Sequence, residues 1–200
     1  MHEATKSFHR RRFDQRFTTR WFVGAGIDIG AGEDSLGQFG AFFPLMGAVR
    51  GWDRADGDAM LMEGVADGHY DFVHSSHCLE HMVNPVAALG NWIRICRPGG
   101  HLVITVPDED LYEQGVFPST FNPDHKWTMT MGKEAGWSPS SVNVFALLGR
   151  FIGEVEIIKV ELLDAGYVYG LARQDQTLGP IAEAAIEIVL RRRITDKAYL

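Results

Sequence analysis

GIDIGAGEDSLG, residues 26–37, runs two isoleucines and a carboxylate straight into a Gly-x-Gly turn. Val23, Ile27 and Ile29 read as a buried parallel strand with Asp28 near its end. Gly30 and Gly32 then let the chain turn sharply and let a ligand approach bare backbone. In open α/β sheets, ligands sit just beyond the carboxyl ends of such strands. The competing reading is a turn that serves only close packing of strand against helix.

The turn itself discriminates between ligands. A dinucleotide fingerprint needs G-x-G-x-x-G, with a third glycine for helix packing and a helix N-terminus facing a pyrophosphate. Here Gly30-Ala31-Gly32 is followed by Glu33, Asp34 and Ser35. The third glycine is missing, and two carboxylates would repel a pyrophosphate. A cofactor with an ammonium group and no phosphate suits the turn better, which points to S-adenosylmethionine.

Composition bounds the rest. Two hundred residues at 46% hydrophobic content make one ordinary domain with a sizeable core. A net charge of −7 argues against a general nucleic-acid binder, which must neutralise phosphates. Arg10, Arg11, Arg12, Arg16 and Arg20 make the N-terminus locally basic, and read as solvated helix charges. No apolar run approaches membrane-spanning length and no signal peptide is evident. Cys78 and Cys96, each inside an apolar element, read as free thiols in a reducing cytoplasm.

An amphipathic, Arg-rich helix is predicted over 5–20, ahead of a cofactor-binding core over 21–108. Strands follow at Ala48–Trp52, ending on Asp53, and at Asp71–Ser75. Asn84 caps a helix with Pro85 in its first turn, and Val86, Leu89, Ile93 and Cys96 share one face. Pro98-Gly99-Gly100 stops it before the apolar strand His101–Val106, which suits burial on both faces. Residues 107–138 break the pattern with turn formers and five aromatics (Tyr112, Phe117, Phe121, Trp127, Trp137). A segment of this kind is either a lid or wall for a substrate or a satellite cluster pinning a loop. Over 139–200 the pattern predicts a helix near 139–150, a strand Val155–Leu163, an edge segment Tyr167–Leu171 and a last helix opened by Pro180. Ile181, Ala184, Ala185, Ile188 and Val189 form that helix's stripe, with Arg191–Arg193 at its end.

GIDIGAG (26–32), the acid Asp53, DGDAMLM (56–62), YDFVHSSHCLEHM (70–82) and RICRPGGHLVITVPD (94–108) together resemble a class I S-adenosylmethionine-dependent methyltransferase. They span most of residues 24–108 in that family's order. The resemblance implies an α/β, doubly wound, mostly parallel sheet of the seven-stranded type with helices on both faces. Asp28, Gly30, Ala31 and Gly32 would hold the methionine moiety, Asp53 the ribose hydroxyls, and Asp58 and Ala59 the adenine, with Ser75 nearby. Only Arg54–Gly57 separate Asp53 from Asp58, where the family usually inserts a helix and a strand. The crossover between the second and fourth strands is trimmed, leaving open which of Asp53, Asp56 and Asp58 meets the ribose. VPDEDLYEQG and FNPDHKW resemble a branch associated with saccharide biosynthesis, implying a small-molecule or saccharide acceptor, methylated at oxygen.

His74, His77, Cys78 and His81 cluster, and His77-Cys-Leu-Glu80-His81 matches the inverted zinc-protease pattern H-x-x-E-H. That chemistry needs a sustained helix, whereas a strand precedes His77 and Asn84-Pro85 follows His81 within a turn. The expectation is therefore cleft wall and no metal; a zinc hydrolase on His77, Glu80 and His81 is one rival, a non-catalytic S-adenosylmethionine-binding protein another. A hydroxyl acceptor gains from a base within reach. His77 is the first candidate, His125 the second, and Asp108, just after the last core strand, the third.

Overall fold

The computed structural model describes residues 3–194. It contains α1 (Glu3–Arg11), β1 (Gly24–Ile29), β2 (Met46–Trp52), β3 (Tyr70–Ser76), α2 (Pro85–Ile95), β4 (Cys96–Pro107), β5 (Thr128–Thr130), β6 (Ser141–Asn143), α3 (Val144–Gly149), β7 (Val155–Leu163) and β8 (Ala185–Arg192). One six-stranded sheet runs in the order β2-β1-β3-β4-β8-β7, and β5 pairs with β6 apart from it. β2, β1, β3 and β4 are parallel, and β8 lies antiparallel between β4 and β7.

The parallel half follows from its residues. Ile27, Ile29, Phe72, Val73, Leu102, Val103, Ile104 and Val106 are buried, as central strands covered on both faces require. β1 and β3 approach so closely at Gly26 that a Cβ there would lie 2.1 Å from the Phe72 ring. Asn84 accepts from the backbone N–H of Val86 and Ala87, each at 3.1 Å, and so starts α2. That helix buries Ala88, Leu89, Trp92 and Ile93 on one face of the sheet. The other face is covered by Phe8 of α1 with Phe17, Trp21, Phe22 and Phe43.

The missing crossover leaves β2 as an edge strand, followed directly by a loop. α2 holds that loop: Trp92 Nε1 donates to the Ala59 carbonyl at 2.8 Å and Asn91 Nδ2 to the Met60 carbonyl at 2.9 Å. Arg94 donates to the carbonyls of Met62 and Val65. Side chains of one helix thus hold the loop in place.

Four expectations are corrected. The last helix is a strand: Ala184–Leu190 are all buried, with Glu187 the single charged residue among them. Burial on both faces erases the period-2 signal, and β-branched Ile186, Ile188 and Val189 favour the extended chain. The end of the predicted 139–200 segment, residues 195–200, lies outside the described residues. Tyr167–Leu171 is irregular rather than a strand, and the helix near 139–150 shortens to α3 behind β6. The N-terminal helix stops at Arg11, and Phe17–Trp21 forms a separate π-helical turn.

The arginines of that region are not uniformly solvated. Arg11 is fully buried: Nε donates to Glu187 Oε2 at 2.9 Å, Nη1 to His74 Nε2 at 2.9 Å and Nη2 to Thr105 Oγ1 at 3.1 Å. Arg10 and Lys159 also donate to Glu187 Oε1, at 2.9 and 2.8 Å. A guanidinium has only donors, so His74 accepts through Nε2 and carries its proton on Nδ1. That Nδ1–H donates to Asp28 Oδ1 at 2.6 Å. One polar chain therefore runs from β8 across the sheet face to the end of β1. Arg12 and Arg16 are exposed as expected.

Candidate active site

The carboxyl ends of β1, β2 and β3 open into two adjoining cavities of about 390 and 640 Å³. Both are bordered by Gly30, His77, His81 and Asn122, so they are two arms of one cleft. The first arm lies along the Gly-rich turn, between Asp28, Ala31, Gly32, Glu33 and, opposite, Tyr112 and His125. The second lies along Trp52, Asp53, Asp58, Ala59 and Met82.

The turn needs glycine at its first position. Gly30 has φ +76°, and a Cβ there would sit 2.8 Å from Cys78 Cβ. Its N–H donates to the Trp52 carbonyl at 2.9 Å, which ties the ends of β1 and β2 together. Asp28 stands behind the turn with both oxygens held, Oδ1 by His74 and Oδ2 by the Leu36 N–H at 2.7 Å. Burial raises its pKa, but His74 and these hydrogen bonds outweigh that and keep the carboxyl below its ordinary value. A fixed negative charge therefore backs the turn, and Glu33 and Asp34 add two more along the same arm.

The predicted acids separate. Asp53 and Asp58 both line the second arm, whereas Asp56 lines neither and accepts instead from the Asp53 N–H at 3.0 Å. Ser75 is fully buried, donates to the Ile29 carbonyl at 3.0 Å and borders neither cavity. Its neighbour Ser76 borders the first arm, because successive residues of a strand face opposite sides.

Of the candidate bases, His77 sits where the arms meet, with the left-handed φ of +53°. Non-glycine residues held in this conformation concentrate at functional sites. His125 is buried against the first arm and donates through Nδ1 to Glu113 Oε1 at 2.7 Å. Asp108 borders neither cavity. Its Oδ1 caps the turn Glu109–Glu113 by accepting from the N–H of Asp110 and Leu111. Burial pushes it up to about 6 although these N–H groups oppose the shift.

The 107–138 segment contributes Tyr112, Asn122, Asp124 and His125 to the cleft wall. It is laced to the turn Leu79–His81, since the N–H groups of Lys126 and Trp127 donate to the Glu80 carbonyl and Trp127 Nε1 to the Met82 carbonyl. Tyr112, Asn122 and Glu33 are lining residues that the sequence reading did not single out as site residues. Only the aromatic content of the segment marked the first of them. Cys78 and Cys96 are free thiols, and burial pushes both up to about 12, which leaves them inert.

His77, Glu80 and His81 do not lie on a sustained helix. His77 is in a left-handed bend and Leu79–His81 is one 3₁₀ turn, so the geometry of the inverted zinc-protease pattern is absent.

A family model described as a methyltransferase domain matches residues 11–141, more than half of the chain, and the chain belongs to that family. Among curated protein sequences, none matches. A solved S-adenosylmethionine-dependent methyltransferase from Archaeoglobus fulgidus superposes with a TM-score of 0.61 at 14% identity, over 96% of this chain and 95% of that one. A structure described by the conversion of a disulfide bond into a thioacetal group during echinomycin biosynthesis gives 0.54 at 15% identity, covering 98% and 84%. The [4+2]-cyclase SpnF gives 0.52 at 15% identity, covering 92% and 80%. At such identities these likenesses establish the fold. Family and fold together define a class I methyltransferase, an enzyme whose cofactor is S-adenosylmethionine. The cleft fits that group: a bare backbone turn backed by negative charge at one end, the carboxylates of Asp53, Asp58 and Asp124 at the other, and Arg54 the one lysine or arginine on its walls among the described residues. No described helix is long and apolar enough to cross a membrane.

Proposed function

We propose that the chain methylates a hydroxyl oxygen on a small polar acceptor of the saccharide type. The observation that carries this reading is the shared junction of the two arms at Gly30, His77, His81 and Asn122. The Gly-rich turn and the Asp53–Ala59 loop would hold the cofactor on either side of this junction, which carries a histidine and adjoins an arm walled by polar side chains.

In this reading the charges of Asp28 and Glu33 draw the ammonium group, and Gly30, Ala31 and Gly32 let the methionine moiety lie against backbone. Asp53 accepts from the ribose hydroxyls, Asp58 from the adenine amino group, and Ala59 borders the ring. S-adenosylmethionine supplies a methyl carbon bound to a sulfonium, open to in-line displacement. A ring nitrogen of His77 would take the proton of the acceptor hydroxyl. Tyr112, Asn122 and His125 align the acceptor and exclude water, which supply most of the rate enhancement in a reaction of this kind.

The test is transfer of labelled methyl from S-adenosylmethionine to a panel of hydroxylated acceptors with saccharides among them. Label in a base-stable ether is the expected outcome. Label in a base-labile ester or on nitrogen contradicts the oxygen assignment, and tight cofactor binding with no labelled product from any acceptor favours the non-catalytic reading.

A further inference from the structure

The turn Leu79–His81 carries a carboxylate that the folded chain leaves without a partner. Glu80 is fully buried, and neither Oε1 nor Oε2 receives a hydrogen bond. No lysine or arginine pairs with it among the described residues. Leaving a buried carboxylate oxygen unsatisfied is costly, and the group is retained where something else occupies the site. Three imidazoles surround it: His77 Nδ1, His81 Nε2 and His125 Nε2 each lie 3.8 Å from Oε1. These separations exceed hydrogen-bond length.

Two of the rings are oriented from behind. His81 donates through Nδ1–H to the Asp124 carbonyl at 3.1 Å, and His125 donates through Nδ1–H to Glu113 Oε1 at 2.7 Å. That tautomer leaves Nε2 of each ring, 3.8 Å from Glu80 Oε1, with a free lone pair. Histidine ligands of metal ions are held in this way, by a carbonyl or carboxylate on the far nitrogen. The scaffold is rigid, because two backbone hydrogen bonds to the Glu80 carbonyl dock the loop of His125 onto the turn of Glu80 and His81.

We propose that Glu80, His81 and His125 bind one divalent transition-metal ion, with the remaining coordination positions facing the first arm of the cleft. Their ligand atoms lie within 4.8 Å of one another. Bonds of about 2.0–2.2 Å place ligand atoms roughly 3.0–3.5 Å apart, so the site closes by about 1 Å on loading. His81, on the half-exposed side, supplies that movement. Two imidazoles and one carboxylate select zinc, iron(II) or manganese(II) over magnesium and calcium, which take oxygen ligands. Here Glu80 is a ligand and not a base, and His125 replaces His77, so the set differs from the H-x-x-E-H pattern. The open positions suit an oxygen of the acceptor, and that part of the proposal rests on the oxygen-methylating reading above.

The experiment uses the full chain, metal-stripped, titrated calorimetrically with Zn²⁺, Mn²⁺, Fe²⁺ under anaerobic conditions and Mg²⁺. One equivalent of at least one of the first three is expected at micromolar affinity or tighter, with Mg²⁺ far weaker. Loss of an outer-shell partner alone costs 10–100-fold, so His125→Gln and Glu80→Gln are expected to weaken binding by about 100-fold or more. Binding by His69→Ala, on the exposed loop before β3 at the opposite end of the sheet, is expected to be unchanged. Because Glu80→Gln touches a buried group, the exposed-side variant His81→Gln is measured with Co²⁺, whose visible ligand-field bands should disappear with the ring. Less than about a tenth of an equivalent of every ion, or equal binding by His81→Gln and the parent, overturns the site. S-adenosylmethionine is titrated into the same preparation, so cofactor binding without metal binding defeats only this proposal, and metal binding without cofactor binding defeats the methyl-transfer reading.

Discussion

Arg11→Met is expected to destabilise the protein by about 3–5 kcal/mol, the cost of removing one partner from a buried charged pair. In a chain of this length that corresponds to a fall in melting temperature of roughly 10 °C or more. The side chain has no exposure and gives hydrogen bonds to Glu187, His74 and Thr105 at once. Methionine fills similar space but leaves His74 Nε2 without its donor and Glu187 with only Arg10 and Lys159. Because His74 holds Asp28, the loss also reaches the cofactor turn, and weaker S-adenosylmethionine binding should accompany the lower melting temperature. A melting temperature within 2–3 °C of the parent, about what a change near 1 kcal/mol produces, would show that the polar chain is not a stabilising unit.

The same chain sets the acid limit of stability. Glu187 is buried, which raises its pKa, but Arg11, Arg10 and Lys159 pull it down to about 2 from an ordinary 4.5. A carboxyl with a depressed folded-state pKa contributes stability that is complete above the unfolded value and is lost as pH falls through the folded one. Urea unfolding should therefore lose on the order of 3 kcal/mol between pH 4.5 and 2 from this group alone. Glu187→Gln, a weaker protein at pH 7, should lose less over that window.

His77→Gly is expected to lower kcat by about 10²–10⁴-fold, the usual contribution of a positioned base. Glycine is chosen because position 77 has φ +53°, which glycine adopts without strain. The substitution removes the imidazole and keeps the bend between β3 and the turn Leu79–His81. Free imidazole entering the vacated space should restore part of the rate, and a side chain with only a packing role would not be rescued. Glu3 Oε2 lies 3.6 Å from His77 Nε2 and Glu80 Oε1 3.8 Å from Nδ1, so each ring nitrogen faces a carboxylate.

Much of this was legible in the chain itself. The Gly-x-Gly turn after Ile29, the Asn84-Pro85 helix start and the apolar run before Asp108 are local signals, and each became the expected element. Asp53 and Asp58 line the cleft from the end of β2 and the loop after it, whereas Asp56 between them turns back to cap the Asp53 N–H. The last strand is hidden in the sequence because burial on both faces removes alternation, so Ile181, Ala184, Ala185, Ile188 and Val189 mimic a helical stripe. Arg11 looked solvated because its partner Glu187 lies 176 residues away. Ser75 is buried and Ser76 lines the cleft, a difference of one step along β3 that a sequence pattern does not resolve. Asp108 has the chemistry of a base, but in the fold its Oδ1 is committed to capping the turn Glu109–Glu113.

The central claim, that this cleft holds S-adenosylmethionine across Gly30 and Asp53, is tested most directly by calorimetric titration of the parent and Asp53→Ala with S-adenosylmethionine and S-adenosylhomocysteine. Asp53 is exposed at the end of β2 and supports no core contact, so its loss reads binding and not folding. The account predicts micromolar dissociation constants for both ligands and a weakening of about tenfold or more in the variant, the worth of a hydrogen bond to a charged group. No binding by the parent, or equal binding by the two proteins, would contradict it.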